Sequence, residues 1–308
     1  MRVVFLGNDP WSVPSMRSVA ASRHDLAVVL TRVPRPAGRG RTPRPTAVAE
    51  AARELSLPLR EVETVRDGPG FDALREATPD VLAVVAYGEI LPPEVLEAPR
   101  VAPVNVHFSL LPLLRGADPV RRAILEGMEV TGVTTMRMEE GLDTGPVLLQ
   151  VEEAIRDGDD AGELGGRLAE RGGELLVETL DGLEAGSIDE RPQDDSIATV
   201  APKLRPEEQW IDWSADAEAV IRRIRALAPE PGARTRDGGS TLKVLRATRA
   251  EGGGEPGEVV ASTKRSVAVA AGTGAVMLDE VVPEGRRRMR GEEWARGRRL
   301  QVGERLGG

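Results

Sequence analysis

The 308-residue chain contains no cysteine, and histidine occurs only as His24 and His107. The first absence excludes disulfides, cysteine-ligated zinc and thiol nucleophiles. The second leaves few groups for proton transfer near neutral pH, so little can substitute for His107. No apolar run is long enough to span a bilayer, and MRVVFLGNDPW lacks the apolar core of a secretory signal. A cytoplasmic protein without membrane association is therefore expected. The first turn, GNDPW, lacks the later glycines that let a backbone approach a dinucleotide pyrophosphate. A phosphate-binding P-loop and the G-x-S-x-G elbow of serine hydrolases are missing too.

What is present is an ordinary globular mixture, 40% apolar and 30% charged, of a length that suits two domains. The net charge of −9 is uneven, with −13 over residues 1–200 and +4 over 201–308. A basic last third on an acidic protein offers one end suited to a polyanion.

Short apolar runs at 2–6, 25–31, 81–88 and 101–108 alternate with helical patterns at 13–22, 46–56, 70–77 and 92–98. That alternation predicts an α/β fold with a Rossmann-like, mostly parallel sheet. Residues 131–138 and 146–155 read as further strands, and 161–184 as a long amphipathic helix. These place a catalytic domain over 1–188. The polar, proline-bearing stretch 189–206 reads as a linker. In 207–308 a helix at 216–227 precedes the strand candidates TLKVLRAT, GEVVAS, SVAVAA and AVMLDEVV, a pattern that predicts a small β-barrel.

The chemistry points to VNVHFSLLPLLRGADP. Asn105 and His107 stand two residues apart on a strand and so project from one face, at the end where open α/β sheets bind ligands. Asp143 lies between Gly141 and Gly145 in EEGLDTGPV, a tight loop. Acyl transfer to an amine would use such a set. Asn105 would donate to the oxyanion, His107 would stabilise charge or accept a proton, and Asp143 would orient the ring. Spacing alone also admits a turn-forming asparagine, a core histidine and a loop aspartate.

The segment TRVPRPAGRGRTPRP reads as an irregular basic loop that can fork guanidinium groups to phosphate, through Arg35, Arg39 and Arg41. A second cluster, Arg286, Arg287 and Arg288, can meet a nucleic-acid backbone or form a charged face.

Taken in order, VLAVVAYGEILPPEVLEAP, VNVHFSLLP, RGADPVRRAILEG and TGVTTMRMEEGLDTGPVL resemble the central block of the methionyl-tRNA formyltransferase family. RPAGRG at 35–40 resembles its insertion facing the acceptor stem of initiator tRNA, and APKLRPEEQWIDW the entry to its C-terminal domain. The resemblance implies 10-formyltetrahydrofolate held by Ser109, Leu110, Leu111 and Pro112 and by Ala86, Tyr87, Gly88, Ile90 and Leu91. It further implies Asn105, His107 and Asp143 as the catalytic group, an OB-like C-terminal domain that helps hold tRNA, and no metal. The chain is expected to act as a monomer. Alternatives are a formyltransferase for another amine, such as an amino-sugar nucleotide, a formyl-folate hydrolase, or a non-catalytic RNA-binding module. Departures from the family pattern include Phe108 in place of glycine, Leu113 in place of a basic residue, Asp118 in place of alanine, and GNDPW in place of GTPDF.

Overall fold

A computed structural model describes residues 1–37 and 42–307. The chain divides into two compact units. The first comprises Met1–Pro119, Val130–Ala154 and Gly165–Ala201, and the second Val120–Glu129, Ile155–Leu164 and Pro202–Gly308.

The first unit is built on β1 (Arg2–Gly7), β2 (Asp25–Arg32), β3 (Arg35–Ala37), β4 (Thr42–Arg44), β5 (Leu59–Val62), β6 (Val81–Val85), β7 (Ala102–His107), β8 (Val130–Arg137) and β9 (Val147–Ala154). Between them run α1 (Ser12–Ala21), α2 (Ala47–Glu54), α3 (Gly68–Ala77) and α4 (Pro93–Leu96), while α5 (Pro119–Leu125) belongs to the second unit from Val120 on and α6 (Ala161–Ala185), after β9, joins the first from Gly165. Seven strands form one sheet in the order β5-β2-β1-β6-β7-β8-β9. The first five run parallel, β8 pairs antiparallel with β7, and β9 pairs antiparallel with β8. All five side chains of β6 are buried, the pattern expected of a parallel strand covered on both faces. Leu6, Leu30, Leu74, Leu82 and Val95 belong to one core cluster of this unit. Thr46 caps α2, accepting from the Ala49 amide at 3.0 Å.

Phe108 follows His107 and turns to the opposite face of the chain. It is buried and meets the Trp11 ring edge to face, with centroids 6.1 Å apart at 84°. A Cβ on Gly165 of α6 would fall 2.2 Å from the Trp11 ring, so the helix can lie against it only with glycine there. Two departures from the family pattern are thus a single packing contact.

The basic segment does not match its sequence reading. The basic segment 31–45, read as irregular, contains a short ladder pairing Arg35 with Arg44, Pro36 with Pro43 and Ala37 with Thr42. Proline is tolerated there because a two-stranded ribbon leaves outward N–H positions that no ladder needs. Arg39 and Arg41 lie outside the described residues. The 189–206 segment, read as a linker, belongs to the first unit through Ala201 and to the second from Pro202. Polar side chains, which give no periodic signal, tie its first part down through hydrogen bonds described below.

The second unit contains α7 (Ala217–Leu227), β10 (Ala233–Asp237), β11 (Ser240–Ala250), β12 (Val259–Ser262), β13 (Val267–Ala270), β14 (Ala275–Pro283), β15 (Met289–Arg290) and α8 (Gly291–Arg298). The strands form an antiparallel sheet in the order β10-β11-β14-β13-β12, with β15 on β14. Val220, Ile224 and Leu227 of α7 share a core with Val244, Val269, Val276 and Trp294. Asp216 caps α7 at the Ala219 amide. Arg122 forks onto Glu208 through Nη1–Oε1 at 2.8 Å and Nη2–Oε2 at 3.2 Å. That guanidinium holds the Glu208 carboxyl down at about 2.

Candidate active site

Asn105 and His107 leave β7 on one face, with Asn105 opposite Met136 of β8 and His107 opposite Thr134. The loop between β8 and β9 brings Asp143 to them. Asp143 adopts φ 54°, a left-handed conformation that aspartate tolerates better than most residues. Its carboxylate meets both β7 side chains. Asn105 Nδ2 donates to Oδ1 at 3.4 Å, and Oδ2 lies 3.6 Å from His107 Nδ1. At 3.6 Å the ring and the carboxylate are in electrostatic contact without a hydrogen bond.

The ring is fixed from its other side. His107 Nε2 lies 2.9 Å from the Leu114 carbonyl, which can only accept, so Nε2 carries the hydrogen. His107 as a whole is 5% exposed. Gly116 N–H donates to Asp143 Oδ2 at 2.8 Å. Gly116 has φ 117°, and a Cβ there would fall 2.9 Å from the Ala201 carbonyl, so the donor needs glycine on both counts.

The 109–112 turn offers mainly its backbone. Ser109 is fully buried and its hydroxyl donates to the Leu113 carbonyl at 2.6 Å. Thr134 Oγ1 accepts from the Leu111 amide and donates to the Ser109 carbonyl. Leu111 packs with Met136 and Val147, and Leu110 lies close against Gly132 of β8. Pro112 is half-buried.

The 86–91 loop is formed by two left-handed residues, Ala86 at φ 43° and Gly88 at φ 73°. Tyr87 and Leu91 are buried, while Ile90 is 81% exposed. Burial, with Glu89 close by, pushes the Tyr87 ionisation up. The Arg32 guanidinium lies 5.8 Å from the Tyr87 ring centroid. Beside this loop is a cavity of about 530 Å3 lined by Thr64, Arg66, Asp67, Glu89, Pro92 and Glu94. It is open to solvent, and neither His107 nor Asp143 lines it. The three convergent polar groups locate the chemistry better than this cavity does, because reacting atoms must come within hydrogen-bonding reach.

Of the basic residues singled out, Arg35 is exposed and lies 4.0 Å from Glu63. Arg286 and Arg287 are exposed, whereas Arg288 is ion-paired with Glu280. Sequence reasoning missed Gln193, whose Nε2 donates to the carbonyls of Asp143 and Gly145. No motif marked it.

Residues 1–180 match the family described as Formyl transferase, and residues 203–299 match that family's C-terminal domain. A methionyl-tRNA formyltransferase of Heliobacterium modesticaldum is 44% identical over 317 residues, with all of both chains covered. One from Nocardioides sp. is 45% identical over 311 residues, covering 100% of this chain and 98% of that one. Among solved structures, HypX from Aquifex aeolicus in complex with tetrahydrofolic acid has a TM-score of 0.66 at 21% identity. The match covers 98% of this chain and 48% of HypX, so the chain spans about half of that protein. A methionyl-tRNA formyltransferase from Clostridium thermocellum has a TM-score of 0.58 at 17% identity, covering 81% and 94% of the two chains. The structural likenesses establish the shared fold, and with both parts of the sequence signature matched and end-to-end identities of 44% and 45%, the chain belongs to the methionyl-tRNA formyltransferase family.

Proposed function

We propose that the protein formylates the amino group of methionyl initiator tRNA, with 10-formyltetrahydrofolate as donor and Asn105, His107 and Asp143 as the catalytic group. The observation that carries this reading is the convergence of the Asp143 carboxylate on both β7 side chains. The donor supplies a formyl group already bonded to an amine nitrogen, so the acceptor amine can attack directly and no protein nucleophile is needed. Asn105, with a second amide N–H beyond the one facing Asp143, donates to the formyl oxygen as it gains charge. The attacking amine loses one proton, which His107 Nδ1 takes, and the folate nitrogen gains one as its bond to carbon breaks. The imidazolium so formed stands between the Leu114 carbonyl and the Asp143 carboxylate, both of which favour its charge.

The 86–91 loop and the 109–112 turn hold the folate. Support comes from the polar, solvent-open depression beside the loop, lined in part by Glu89, which fits a ligand with polar edges. Residues 207–308 form the tRNA-binding domain, with Arg286 and Arg287 on phosphate and the 35–41 segment on the acceptor end. The enzyme acts as a cytoplasmic monomer. The test is formylation of charged initiator tRNA by the purified protein with 10-formyltetrahydrofolate. Formyl-methionyl-tRNA is the expected product. Failure to form it, alongside an active control enzyme, sinks the reading.

A further inference from the structure

Gln193 is 50 residues from Asp143 in sequence yet bonds to its turn twice. We propose that Gln193, clamped by Arg115, is a positioning residue that holds the Asp143 carboxylate in place for formyl transfer. Its Nε2 donates to the Asp143 carbonyl at 2.8 Å and to the Gly145 carbonyl at 2.7 Å. Both donors of the amide therefore fasten the turn that holds Asp143 in its left-handed conformation. The acceptor end of the same amide, Oε1, takes the Arg115 Nε–H at 2.9 Å. A flipped amide would set its oxygen against two carbonyls and its NH2 against a guanidinium, so the network allows one orientation.

Arg115 is itself immobilised. Its side chain is 11% exposed and its Nη2 pairs with Asp195 Oδ1 at 2.8 Å. Its amide donates to the Thr199 carbonyl at 2.9 Å, and its carbonyl accepts from Ala201 at 2.7 Å. The next residue, Gly116, donates to the Asp143 carboxylate. One buried arginine thus ties together the loop that supplies this donor, the turn that carries the acceptor, and the 191–201 strap. Among the described hydrogen bonds Gln193 has none to Asn105 or His107, so it acts through Asp143.

This inference rests on the role given to Asp143 above, and its test separates the two. Gln193→Glu keeps the side-chain length and the arginine contact but presents oxygen to both carbonyls. In the full-length enzyme kcat falls on the order of tenfold or more, because small displacements of a reacting group are costly. KM for each substrate stays within about twofold, as expected when only a transition-state interaction is lost. The double variant with Asp143→Asn is no slower than Asp143→Asn alone, since coupled residues are non-additive. Losses that multiply independently overturn the proposal, as does a kcat near wild type or an effect confined to KM. Should Gln193→Glu fail to fold, Gln193→Met removes the donors without adding charge and carries the same cycle. A wild-type protein that makes no formyl-methionyl-tRNA sinks the functional reading instead.

Discussion

The Leu114 carbonyl accepts the His107 Nε2 hydrogen at 2.9 Å, so the ring turns Nδ1 towards the Asp143 carboxylate, 3.6 Å away. A main-chain atom therefore orients the ring. His107→Ala should lower kcat on the order of 100-fold or more while the protein still melts cooperatively. Single-turnover formylation measures this directly. Unchanged turnover in a folded variant would remove His107 from the mechanism.

Gly116→Ala tests the carboxylate's other partner. The substitution forces a Cβ into a left-handed position and towards the Ala201 carbonyl. Strain of about 1–3 kcal/mol is expected, which should appear as a lower thermal midpoint. Because the same residue donates to Asp143, kcat should fall as well. A loss of stability with full kcat would show that this donor is dispensable.

Phe108 is buried against Trp11, on the side of the chain away from Asn105 and His107. Phe108→Ala should destabilise the protein by about 3–5 kcal/mol, as for other buried aromatics. KM for folate should remain unchanged. Denaturant titration and steady-state kinetics on one preparation check both, and a raised folate KM at full stability would place the ring at the substrate.

The grouping of Asn105, His107 and Asp143 was legible because β7 is a short apolar strand whose polar residues stand out against their neighbours, and because Asp143 lies between two glycines. Gln193 was not legible, nor were the contacts of Arg115. Their partners are main-chain carbonyls and other polar groups of distant segments, and nothing periodic marks such contacts. Strand β10 was missed for a related reason. In ARTRD the buried positions are Ala233 and Thr235, alternating with Arg234 and Arg236. The alternation is that of a half-buried strand, but small and hydroxyl side chains carry the inward face, so apolarity does not trace it. The hairpin of β3 and β4 hid behind prolines, which usually argue against pairing.

Arg286 and Arg287 are exposed, whereas Arg288 is paired with Glu280. Replacing Arg286 and Arg287 by serine should raise KM for tRNA and flatten its dependence on salt, by up to about one unit of log–log slope per lost phosphate contact. Arg288→Ser should do less. Equal effects from all three would mean that the ion pair opens on the RNA.

The Glu208 carboxyl, held at about 2 by Arg122, has a usual value of 4.5. A depressed carboxyl stabilises the folded state fully above its unfolded value and loses that contribution as pH falls towards its folded one. The pair should therefore add stability at pH 6–7 and stop doing so between pH 4.5 and 2. The carboxylate is partly solvated, so solvent screening keeps the gain to about 1 kcal/mol. Arg122→Gln should lower the melting temperature at neutral pH but leave it close to wild type near pH 2.5. A constant difference across that range would show that the carboxyl titrates normally.

The Trp11–Phe108 contact bears on how this sequence can be edited. Judged singly against its family, each residue invites restoration to the commoner type. Restoring glycine at 108 by itself would strand an indole beside a void, and trimming Trp11 by itself would leave the phenyl edge bare. The two positions should be exchanged together, since a redesign that scores columns independently would pass through a weaker protein at either halfway point.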